Sequence, residues 1–67
     1  MITVNGEHSG VQAGETLRDV LAGLGLEPSA RGVAIAVDGE IVPRREWTAY
    51  ELGEHARVEV LTAMQGG

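Results

Sequence analysis

Two periods organise the apolar residues of this chain. Ile2-Thr3-Val4 alternates apolar and polar and runs into Asn5-Gly6, a dipeptide that favours a two-residue hairpin. Ser9-Gly10-Val11 is the expected return strand. Beyond Gly14 the period changes: Leu17, Val20, Leu21 and Leu24 fall at i, i+3, i+4 and i+7, one face of a helix. Thr16 is placed to cap its start, with Asp19 three residues on as a weaker form of the capping box. Gly25 stands where a left-handed residue ends a helix, and Leu26 beyond it can supply the accompanying hydrophobic contact. The spacing therefore predicts a helix over 16–24.

A loop follows at Glu27-Pro28-Ser29-Ala30-Arg31-Gly32. Val33-Ala34-Ile35-Ala36-Val37 reads as a strand with large residues on one face and alanines on the other. Asp38-Gly39 is a second hairpin signal, Glu40-Ile41-Val42 returns, and Pro43 ends that strand. The stretch 44–53 has no clean period and predicts a turn of irregular helix around Trp47. Arg57-Val58-Glu59-Val60-Leu61-Thr62 is the last strand. One helix cannot bury itself, and a small sheet with one apolar face can cover it. The order predicts an α+β fold of β-grasp (ubiquitin-like) type: a mixed four- or five-stranded sheet on one main helix, with the last strand central beside the first. Residues 1–67 form a single domain, of which 63–67 are expected to be a flexible C-terminal arm reaching on the order of 17 Å.

Composition narrows the function. Sixty-seven residues leave hardly enough chain for both a core and a substrate cleft, so an enzyme is not expected. The absence of cysteine excludes disulfides, thiolate chemistry and Cys-ligated zinc, and fits a reducing compartment. Net charge is −5 and every positive charge is an arginine. Such a surface disfavours nucleic acid and anionic membranes and suits a basic groove on another protein. Neither a signal peptide nor an apolar run of membrane-spanning length is visible, so a cytoplasmic protein is expected, monomeric when free.

Few side chains suggest chemistry. His8 and His55 lack the convergent partners a metal needs and read as surface turn residues, so no metal site is expected. Ser9 and Thr16 have no local base partner. Gly23-Leu24-Gly25 is too short for a phosphate loop and lies at the wrong end of the helix. Arg44-Arg45, beside Trp47, is either a pair of solvated charges or a docking contact, Arg and Trp being favoured at interface hot spots. If Val33, Ile35 and Val37 face the helix, Ala34 and Ala36 lie on the open face of the sheet, and Leu61 joins them by the same alternation. The remaining candidate is Gln65-Gly66-Gly67: a carboxylate on glycine has no Cβ beside it, so such an end can thread a narrow channel and accept a nucleophile unhindered.

These segments together resemble the ThiS-type sulfur carrier proteins of the ubiquitin-like superfamily. The resemblance rests on Ile2-Thr3-Val4-Asn5-Gly6, on Thr16-Leu17 through Leu24-Gly25-Leu26, on the run from Val33 to Asp38-Gly39 and on to Pro43-Arg44-Arg45-Glu46-Trp47, and on Arg57 through Gly67. Asp38 replaces the usual Asn, and Gly53-Glu54-His55-Ala56 a more usual Gly-Asp turn. The resemblance implies a carrier acted on by enzymes. An adenylating (E1-like) enzyme uses ATP on the carboxylate of Gly67, with Gly66 as its unobstructed neighbour. Sulfur from a persulfide donor then replaces AMP, and the thiocarboxylate serves thiazole synthase in thiamine biosynthesis. No cofactor of the carrier's own is implied. Arg44, Arg45, Ala34, Ala36, Leu61 and Gln65 are the expected partner-facing residues. A carrier for molybdopterin or a sulfur-containing secondary metabolite would share the fold. A non-covalent ubiquitin-like module would instead be indifferent to loss of Gly66-Gly67.

Overall fold

Asn5-Gly6 and Asp38-Gly39 set the two hairpins. In the computed structural model, which describes residues 1–63, all four of these residues have positive φ, at 52°, 83°, 50° and 86°. Positive φ at both central positions matches the right-handed twist of the flanking strands, which makes two-residue loops possible. The first loop joins β1 (Thr3–Val4) to β2 (Glu7–His8), the second β3 (Val33–Val37) to β4 (Glu40–Ile41). Val4 pairs with Glu7 and Val37 with Glu40. The return strand thus starts at Glu7 and not at Ser9: a two-residue turn puts the very next residue into the ladder, and Ser9 only adds an N–H to the Ile2 carbonyl at 3.0 Å.

The last strand, β5 (Arg57–Thr62), lies in the middle of a five-stranded sheet of order β2-β1-β5-β3-β4. It runs parallel to β1 and antiparallel to β3, giving the mixed sheet and central last strand expected of this fold. Both hairpin turns are tied to it. The Asn5 side-chain oxygen accepts the Val60 N–H at 2.8 Å, and Asp38 Oδ1 accepts the Arg57 N–H at 3.0 Å. Asn5→Ala would leave the Val60 N–H without its partner and put alanine, which tolerates positive φ less well than asparagine, at that turn position, for an expected loss of about 1–3 kcal/mol. Asn5→Asp, which keeps the acceptor and tolerates that backbone, should lose much less. Urea midpoints measured at unchanged m-value check the difference; equal losses would show that the side-chain oxygen is not what matters.

The helix α1 (Leu17–Gly23) packs its Leu17, Val20 and Leu21 face on the sheet. The Asp19 carboxylate accepts the Thr16 N–H at 2.9 Å, while the N–H groups of Leu17 and Arg18 go to the carbonyls of Tyr50 and Trp47. Few donors of the first turn are left for solvent. At the other end the Leu26 N–H returns to the Leu21 carbonyl and the Gly25 N–H to that of Ala22, a Schellman closure around Gly25 at φ 76°. That closure corrects one expectation. Leu24 is the capping residue, already off the helical path, and is 47% exposed; Leu26, beyond the turn, packs on the core in its place. Val33 is likewise only half-buried, since it sits at the end of β3 opposite Thr62.

The irregular stretch contains a 3₁₀ turn, Arg44–Glu46, which delivers Trp47 into the core. The indole is 1% exposed, and its Nε1 donates to the Val42 carbonyl at 2.8 Å. Ile35, Val58 and Val60 complete the apolar floor beneath α1.

Candidate functional site

Because β5 is central, the chain leaves the sheet from its middle. Thr62, the last residue of β5, pairs with Val33, and the Ala63 N–H then donates to the Gly32 carbonyl at 2.6 Å. Gly32 has φ 71°, a left-handed conformation that turns the loop into β3 and aims its carbonyl at Ala63. The expected working residues Gly66 and Gly67, the partner-facing Gln65 and the rest of the arm beyond Ala63 lie outside the described residues.

The face of the sheet opposite α1 adjoins this exit. Alternation puts Val58 and Val60 toward the helix and Glu59 and Leu61 away from it, with Ala34 opposite Leu61 and Ala36 opposite Glu59. Leu61 is 61% exposed and Ala34 half-buried. A shallow concavity of about 400 Å³, lined by Gly32, Val33, Ala34, Leu61, Thr62 and Ala63, joins this face to the chain exit. Ala36 departs from expectation. It is on the open face but only 7% exposed, seated between its longer cross-strand partners Ile41 and Glu59, so it offers almost no surface of its own.

Ile41, not among the expected contact residues, is 66% exposed as the partner of Ala36. The signal was present in the sequence. A two-residue turn at Asp38-Gly39 pairs Val37 with Glu40 and hence Ala36 with Ile41, so an outward Ala36 requires an outward Ile41. An apolar pair, Ile41 and Leu61, therefore flanks the small residues of the open face.

The two arginines part company. The Arg44 guanidinium lies 4.5 Å from the centroid of the Trp47 ring, donates to the Pro28 carbonyl and sits 3.4 Å from the Val33 carbonyl. Arg45 is exposed and makes no hydrogen bond among the described residues. Charge reversal at Arg44 would thus break contacts within the fold, whereas at Arg45 it would alter only the surface. His8 lies in β2 and not in a turn. His55 does occupy a turn, at φ 66°, with its Nδ1 2.8 Å from the Met1 ammonium. Among the described residues no group of three or more His, Asp or Glu side chains converges as metal ligands would, and no helix is long and apolar enough to cross a membrane.

The ThiS family model matches residues 1–67. Among solved structures, the thiamine biosynthesis protein ThiS from Geobacter metallireducens is similar, with a TM-score of 0.72 and 31% sequence identity over 98% of this chain and 97% of that one. No curated protein matches the chain significantly.

Proposed function

This chain belongs to the ThiS family, and we propose that it carries sulfur in thiamine biosynthesis as a thiocarboxylate on Gly67. The observation that supports this most is the full-length match, which includes Gly66-Gly67, on a fold whose last strand is central and leaves the sheet at Ala63. A carboxylate is ionised at neutral pH and is a poor electrophile. It must first become an acyl adenylate, formed with ATP by an adenylating enzyme; sulfur from a persulfide donor then displaces AMP. The thiocarboxylate passes its sulfur to the thiazole being built by thiazole synthase. On this reading the domain is a co-substrate of enzymes, works in the cytoplasm, and needs no cofactor of its own.

The docking surface would be the open face, Leu61, Ile41 and Ala34, with the exposed Arg45 of the 3₁₀ turn as a further contact. Ala36 would serve as a low floor, and Arg44, though exposed, would act through its contacts with Trp47, Pro28 and Val33. Leu61→Thr and Ile41→Thr keep strand-compatible residues at exposed positions, so stability should change by no more than about 0.5 kcal/mol. Burying a leucine or isoleucine side chain against a partner is worth about 1.5–3 kcal/mol, so each change should weaken binding to the adenylating enzyme about tenfold or more. Calorimetric titration checks this, and undiminished affinity in both variants would remove the open face from the reading.

The function itself is tested by incubating the protein with the adenylating enzyme, ATP and a sulfur source, and then measuring intact mass. The expected result is the gain of one oxygen-to-sulfur exchange, localised to the C-terminal peptide. An unchanged mass, or sulfur found elsewhere, would sink the proposal.

A further inference from the structure

The corner from which the chain departs has little apolar anchoring: no residue from 27 to 33 is fully buried. Arg44 ties its two ends together. The guanidinium rests on Trp47, itself fixed by burial and by its bond to the Val42 carbonyl, and reaches the carbonyls of Pro28 and Val33, at the two ends of the loop. Gly32, one residue before Val33, is the acceptor for the Ala63 N–H. A continuous path of contacts therefore runs from the buried indole through Arg44 and the loop to the first residue beyond β5. Only a planar fork of donors can serve two carbonyls while stacked on a ring; a lysine ammonium brings the charge without that geometry.

We propose that Arg44 is a positioning residue: by clamping the corner between Pro28 and Val33 it sets the direction in which the chain leaves β5 at Ala63, and so presents Gly67 to the adenylating enzyme. The inference rests on the carrier reading above. Without the clamp the corner would sample several orientations, and the arm would enter the partner's site productively only in some of them. The loss would fall on the chemical step more than on docking, because the open-face residues are untouched.

Two measurements test it on Arg44→Ala and Arg44→Lys, at a temperature where circular dichroism shows both folded. The first is amide hydrogen exchange of the isolated protein. Ala63 should lose protection about tenfold or more in both variants while the Val60 amide, held by Asn5 on the far side of β5, keeps its own. Equal exchange at Ala63 in all three proteins, or an equal loss at Val60, would overturn the proposal. The second is ATP-dependent conversion. kcat should fall about tenfold or more, with KM for the carrier changed less than about twofold. Full activity of Arg44→Lys would mean that Arg44 acts as a point charge in docking, and would overturn positioning. Failure of the wild type to be converted sinks the carrier reading alone, since the exchange result stands apart from it. A converted wild type with equally fast variants sinks this inference alone.

Discussion

Trp47→Ala is expected to leave the domain largely unfolded at 25 °C. The indole is among the largest side chains in the fold that are fully enclosed, at 1% exposure, and truncating a buried Trp costs about 3–5 kcal/mol. A core built by a chain this short supplies roughly 3–5 kcal/mol of net stability, so a single such loss consumes most of it. The change also removes the donor to the Val42 carbonyl and the ring beneath Arg44, which loosens β4 and the Pro28–Val33 corner together. Trp47→Phe, which keeps much of the volume but not the N–H, should retain a cooperative transition at a lower urea midpoint. If Trp47→Ala unfolds cooperatively with a stability loss below about 1 kcal/mol, the indole is not the centre of this core.

What the sequence made legible were features set by local chemistry. Asn5-Gly6 and Asp38-Gly39 announce their hairpins because few other dipeptides tolerate positive φ twice in succession. Leu17, Val20 and Leu21 announce a helix because their spacing leaves one continuous apolar face, and the alternation from Arg57 to Thr62 announces a strand. Other features depend on how a helix end closes or on contacts between distant parts of the chain. Whether Leu24 faces the core depends on where the Gly25 closure cuts the helix, and Ala36 is hidden by neighbours on two other strands. Asn5 reaches Val60 across 55 positions, which no local pattern records. The role of Arg44 depends wholly on the fold. Beside Arg45 it looks like half of a basic pair, and only the fold shows it turned back over Trp47. The chemistry proposed for Gly66 and Gly67, by contrast, rests on the terminal motif and on the family.

Gly67 is expected to be the working residue, with both its identity and its terminal position essential. Adenylation brings the carboxylate in line with the α-phosphate of ATP, in a site that excludes water so that the mixed anhydride survives. A side chain at either glycine would crowd that approach, and an added residue would carry the carboxylate out of register. Deleting Gly67, extending the chain by one residue, or making Gly66→Val should therefore abolish conversion to the thiocarboxylate. The buried core and the hairpin contacts to β5 are made by residues 2–60, so urea midpoints should match wild type. Since misplacement by about 1 Å can lower a rate on the order of a hundredfold, the extended chain should be silent in an intact-mass assay under conditions that convert the wild type fully. Conversion of the extended chain as readily as wild type would show that the terminal carboxylate of Gly67 is not the group that is activated.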